Sequence, residues 1–124
     1  MNFEVKFHIS DRCKKSLKKS KHRAGDGIET VKTVVRLNPD YGAPIPGRDG
    51  LRKMRLRAPG LNAGKSGGYR LIYRKVLMEE VVYILFLDIY FKGDKEDLSN
   101  DAYVTLMNEA ENLLDRLLEI PWED

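Results

Sequence analysis

Three cations, Lys53, Arg55 and Arg57, stand at every second position of "LRKMRLR" (Leu51–Arg57), and Arg52 adds a fourth to the run. Successive strand residues point to opposite faces, so an extended backbone puts the first three on one face and Met54 and Leu56 on the other. The spacing returns in "YRLIYRKV" (Tyr69–Val76), where Arg70 and Arg74 share a face. Lys92 closes the run "EVVYILFLDIYFK" (Glu80–Lys92), and Lys95 lies just beyond it. If these strands are neighbours, one sheet face gathers five or more cations. Crowded like charges repel, so an anion belongs on that face. A phosphodiester chain supplies one, and Tyr90 offers a ring on which a base can stack. The competing reading is that water-facing strand positions carry Lys and Arg to discourage edge pairing. Convergence from three strands favours a nucleic-acid site, with Arg52, Arg57, Arg74 and Tyr90 as RNA-binding candidates.

The link between the first two strands, "PGLNAGKSGGYR" (Pro59–Arg70), raises a different chemistry. "GLNAGKS" is one residue short of the phosphate-cradling G-x-x-x-x-G-K-[ST] loop, since only three residues separate Gly60 from Gly64. That loop must also open a helix whose N-terminal N–H groups face the phosphates, whereas "YRLIYRKV" is β-branched and aromatic and reads as a strand. A nucleotide cofactor is therefore not expected. The segment reads instead as a glycine-rich connection whose backbone can approach a phosphate closely, with Lys65 at its rim as a further RNA-binding candidate.

The charge balance agrees. The first 75 residues hold 19 Lys and Arg against 6 Asp and Glu, and the last 49 hold 3 against 13. A basic part of this kind calls for a polyanionic partner. The chain has 124 residues, 42% of them hydrophobic and 33% charged, as in a globular single domain spanning 1–124. One cysteine permits no internal disulfide, and one cysteine with two histidines cannot build an ordinary zinc site, so no metal and no cofactor are expected. "MNFEVKFHIS" lacks the apolar stretch of a signal peptide. The longest apolar run, Val81–Phe91, is too short for a membrane helix and contains Asp88. A reducing cytoplasm and no membrane are the expectation.

The elements that must position these residues follow from periodicity. Phe3, Val5, Phe7 and Ile9 alternate with polar residues as in a half-buried strand. Ser10 can cap a helix from Asp11, lysine-rich around a stripe of Cys13 and Leu17. Asp26 and Glu29 make a box-like start to a second helix with Ile28, Val31 and Val35 on one face, ended by Asn38-Pro39. The three strands above come next. Ser99 then caps a long helix in which Tyr103, Met107, Ala110, Leu114 and Leu117 recur at helical spacing. The order is β-α-α-β-β-β-α. Short loops pair consecutive strands antiparallel, which predicts an α+β fold: a small antiparallel sheet with helices packed on one face.

"KMRLR", "SGGYRLIYR" and "DIYFKGDKEDLS", in that order, resemble the RelE/HigB family of bacterial toxins, closest to its HigB-like branch. The resemblance covers the whole order of elements and is densest from Leu51 to Ser99. It implies a RelE-like fold and a ribosome-dependent endoribonuclease that cuts messenger RNA during translation, neutralised by a cognate antitoxin, with a helix-turn-helix protein expected in that role. It implies catalytic roles for Lys53, Arg55, Arg70 and Lys92, with Lys95 as a neighbour. The mechanism implied needs no metal. The 2′-OH attacks the adjacent phosphorus and cations stabilise the charge on the phosphoryl oxygens. Arg70 would stabilise the transition state. Lys53, its pKa lowered by neighbouring cations, would be the base. Lys92 or Lys95 would be the acid or a phosphate anchor. The tyrosine or histidine that the family often carries after the last strand has no clear equivalent, since Tyr103 stands too far along and faces the core.

Two other functions stay open on the same residues: a ParE-like toxin that inhibits DNA gyrase without nuclease chemistry, and a non-catalytic RNA- or ribosome-binding module. Clustered Lys and Arg on the hairpin strands favour the nuclease. His8 reads as solvent-facing, His22 as a residue that can touch RNA, Cys13 as core, and Trp122 as either a tail anchor or an interface contact.

Overall fold

The computed structural model describes residues 4–19, 27–48, 50–56 and 68–124. Its elements are β1 (Glu4–Ile9), α1 (Asp11–Lys19), α2 (Ile28–Leu37), β2 (Ala43–Pro44), β3 (Leu51–Leu56), β4 (Tyr69–Met78), β5 (Val81–Phe91) and α3 (Asn100–Asp115). The strands form one five-stranded sheet in the order β1-β5-β4-β3-β2.

The caps read from sequence are formed. Ser10 Oγ accepts the Cys13 N–H at 3.1 Å and donates to the Leu87 carbonyl at 3.0 Å, pinning the start of α1 to β5. Ser99 Oγ accepts the Ala102 N–H at 3.1 Å. Each satisfies an otherwise orphan helix donor. The Asp26 cap lies outside the described residues; Gly27 is the N-cap of α2 and provides no side-chain bond.

The α+β class stands, with two corrections of detail. The sheet is mixed rather than antiparallel: β3, β4 and β5 are antiparallel neighbours, but β1 runs parallel to β5. Most of the chain separates β1 from β5, so no hairpin dictates their direction. The helices cover both faces rather than one. One core joins Cys13, Ile28, Val31 and Val35 of α1 and α2 to Phe7, Met54, Leu71, Tyr73, Ile84 and Phe86. The other joins Tyr103, Leu106 and Ala110 of α3 to Leu51, Ile72, Leu85, Leu87 and Tyr90. The physical reason lies in β5, whose Ile84, Leu85, Phe86 and Leu87 are each 0% exposed. A strand apolar on both faces needs cover on both. Two-residue β2, held to Arg52 and Lys53, is an addition that its composition does not announce.

The C-terminal segment closes the free edge of β1. Phe7 and Glu123 exchange backbone hydrogen bonds of 2.7 and 2.8 Å. Trp122 donates to the Leu117 carbonyl at 2.7 Å and meets the Tyr83 ring edge-on at 4.8 Å between centroids, which makes it a tail anchor. His8 donates from Nδ1 to the Pro121 carbonyl at 2.9 Å, so it too holds the tail. Cys13 is buried, and burial followed by the Asp88 charge pushes its thiol up to about 12, as a core cysteine requires.

Candidate nucleic-acid interface

Registration of β3 on β4 builds the site. Arg55 stands directly opposite Arg70, Lys53 opposite Ile72, and Leu51 opposite Arg74. On the other side of β4, Arg70 stands opposite Tyr90 of β5. Since paired residues share a face, Lys53, Arg55, Arg70, Arg74 and Tyr90 lie on the face that also carries α3. Lys92 follows at the end of β5, its backbone N–H bonded to the Gly68 carbonyl at 3.0 Å.

These residues differ sharply in environment. Arg70 is 5% exposed. Its Nη1 donates to the Tyr69 carbonyl at 3.3 Å, while Nη2 has no hydrogen-bond partner among the described residues. Burial, and then the charge of Arg55, depress its pKa from the ordinary arginine value. Buried charges are normally paired, so this guanidinium carries an unmet demand for an anion. Arg55 beside it is exposed and has no carboxylate partner among the described residues.

Lys53 is instead held. Its ammonium lies 2.9 Å from Asp97 Oδ1 and 5.6 and 5.9 Å from the ring centroids of Tyr103 and Tyr90. Burial pushes its pKa down, but hydrogen bonding to Tyr103, Asp97 and Tyr90 outweighs burial and leaves it well above the ordinary lysine value. The expected lowering is thus reversed: an acidic partner, not the neighbouring cations, sets its charge, and a lysine so held is a fixed cation rather than a proton acceptor. Asp97 responds in the opposite sense. Burial raises it, yet bonds from Tyr103, Lys53 and the Leu98 N–H bring it to about 2.

The remaining candidates separate. Arg74 is on the basic face but ion-pairs with Glu111 of α3. Arg52 points to the opposite face, where it meets Asp40 at 3.3 Å and donates to the Asp40 and Gly42 carbonyls; it anchors the segment leading into β2. Tyr90 is 6% exposed, so its ring packs against Tyr103 and Lys53 and is not an open stacking surface. Lys92 lies 3.9 Å from Glu96, and Lys95 is exposed beyond the strand. Arg57, Lys65 and His22 lie outside the described residues. The structure therefore brings together Lys53, Arg55, Arg70 and Tyr90, with Lys92 at the strand end. It adds Asp97 and Tyr103, which sequence reasoning passed over as turn and core. Only the Ser99 cap signal stands near Asp97 in the sequence, and nothing in it points 44 positions back to Lys53.

A sheet of this order, with α1 and α2 on one face and α3 on the other, is the RelE-like α+β fold. Among solved structures it is similar to the E. coli toxin RelE, a double arginine-to-alanine variant in the free state. The TM-score is 0.51 at 20% identity, over 77% of this chain and 90% of that one. No protein-family model matches the sequence. Among the described residues no three His, Cys, Asp or Glu side chains gather as metal ligands would, and no helix is long and apolar enough to cross a membrane.

Proposed function

We propose that this chain is a toxin of the HigB-like branch of the RelE family, a cytoplasmic endoribonuclease that cuts messenger RNA on the ribosome. Its activity would be held in check by a helix-turn-helix antitoxin. The observation that carries the reading is the buried guanidinium of Arg70, with no carboxylate partner and its Nη2 unpartnered among the described residues, set directly across from exposed Arg55. Such a pair is unfavourable until an anion with several oxygens arrives, and a phosphodiester is that anion.

In the reaction, the 2′-hydroxyl attacks the adjacent phosphorus, and its proton passes to solvent. The bond from phosphorus to the 5′ oxygen breaks, leaving a cyclic phosphate. Lys92 gives the departing 5′ oxygen a proton and is reprotonated from water. Arg70 and Arg55, always charged, stabilise the phosphoryl oxygens as negative charge builds. Lys53 adds a third fixed positive charge. No step calls for a metal.

Expression under an inducible promoter, with mapping of messenger RNA 5′ ends, tests the proposal. New ends inside translated codons, absent in the Arg70→Ala variant, are expected. Growth arrest with intact messengers and gyrase-dependent DNA damage would replace this reading with a non-nucleolytic one.

A further inference from the structure

We infer that Asp97, together with Tyr103, is a positioning residue that fixes the Lys53 ammonium at one point of the basic face as a standing cation for the substrate phosphate; this rests on reading that face as an RNA-cleaving site. A lysine side chain is a flexible stem whose immobilisation costs rotamer entropy. Here the immobilisation is built from three parts of the fold. Lys53 leaves β3 half-buried. Asp97 sits between β5 and α3, its Oδ1 oriented by the Leu98 N–H at 2.8 Å. The same oxygen accepts the Tyr103 hydroxyl of α3 at 2.5 Å, the Lys53 ammonium at 2.9 Å and, more distantly, the Tyr90 hydroxyl of β5 at 3.5 Å. One carboxylate oxygen thus gathers donors from β3, β5 and α3.

An isolated surface ion pair is worth little, because both side chains must be ordered for a screened attraction. This one differs because the two aromatic rings beside it are buried, Tyr103 at 4% and Tyr90 at 6% exposed. Their faces also attract the ammonium. Arg48 lies over Tyr103 at 5.0 Å and donates to Asn100 at 2.7 Å, so the tyrosine is itself held. Among the described residues the charged and titratable groups around Lys53 are Asp97, Tyr90 and Tyr103 in contact, with Arg55 on its own strand and Arg70 on the next. Asp97 is the only carboxylate in contact with Lys53 among the described residues. Removing its charge should release Lys53 while leaving Arg55 and Arg70 in place.

The test uses the free full-length protein with isotope-labelled lysine. In the wild type, the Lys53 ammonium should give a protected NMR signal and keep its proton above the ordinary lysine range. In Asp97→Asn the protection should vanish and the titration should fall back towards that range. Tyr103→Phe, which removes only a hydroxyl, should move both in the same direction by less. Single-turnover cleavage on programmed ribosomes should show Asp97→Asn losing about ten- to a hundredfold in rate at saturation, with little change in half-saturating concentration. An unprotected Lys53 in the wild type, or a signal unchanged by either substitution, would overturn the inference while leaving the nuclease reading intact. A protected Lys53 with wild-type cleavage rate in folded Asp97→Asn would also overturn it. Protection as expected but no cleavage by the wild type would sink the nuclease reading alone.

Discussion

Replacing Arg70 with methionine should stabilise the free protein and destroy its action on RNA. The side chain is 5% exposed, makes one hydrogen bond of 3.3 Å, leaves Nη2 unpartnered among the described residues and faces the like charge of Arg55 across the ladder. Exchanging uncompensated buried charge for packed apolar atoms of similar volume gains on the order of 1–4 kcal/mol. At about 2.1 cal/mol/K of unfolding entropy per residue, a chain of 124 residues gains about 4 °C in Tm for each kcal/mol. Arg70→Met should therefore melt about 4–15 °C higher in phosphate-free buffer. Inorganic phosphate should narrow the gap, because a ligand of the native state stabilises by RT ln(1 + [L]/Kd), about 2.7 kcal/mol at a hundredfold excess over Kd. Only the wild type holds the full site. Circular dichroism melts with and without phosphate, at ionic strength matched by sodium chloride, measure both effects. Cleavage should fall by about a hundredfold or more. A variant that melts several degrees below the wild type without phosphate would show that the guanidinium is structural cement, and the argument from its unmet charge would fail.

Three further outcomes follow from the same structure. Tyr73, 0% exposed, accepts the Gly42 N–H at 2.9 Å and donates to the Pro39 carbonyl at 3.1 Å, so Tyr73→Phe should cost about 1–3 kcal/mol by urea denaturation; an unchanged midpoint would mean that those groups find other partners. Glu79 and Glu80 turn the β4–β5 hairpin at φ of 50° and 67°, a geometry that Asn-Gly adopts readily. The double change Glu79→Asn with Glu80→Gly should raise stability by about 1 kcal/mol, and a loss of stability would argue that the acidic side chains are themselves needed there. Asp97 is held at about 2 against an unfolded value of about 3.9. A depressed carboxylate contributes stability above the unfolded value that is lost as pH falls through the folded one. The drop in urea midpoint from pH 5 to pH 2.5 should thus be smaller in Asp97→Asn, and equal drops in both proteins would refute the assignment.

Local rules made much of this molecule legible from its sequence. Alternation in "LRKMRL" and "YRLIYRKV" places their cations on strands, serines at positions 10 and 99 cap the helices that follow them, and the run from Tyr69 reads as a strand. These features depend on residues within a turn or two of one another, where backbone geometry is decided by neighbours. Partnership across the fold was not legible. That Arg55 meets Arg70, that β1 lies parallel beside β5, and that Arg52 turns away to hold Asp40 all depend on register and on which face each helix covers. The charge state of Lys53 is the clearest case. In the sequence its neighbours are arginines, and the expectation of a lowered pKa follows from them. In the folded protein its nearest charge is Asp97, 44 positions along the chain, brought there by the β5–α3 turn and fixed by Tyr103. Electrostatic interaction falls with distance in space and takes no account of distance along the chain, so composition disclosed that a basic face exists, and only the tertiary arrangement decided which of its cations is held in place by a carboxylate and which has none among the described residues.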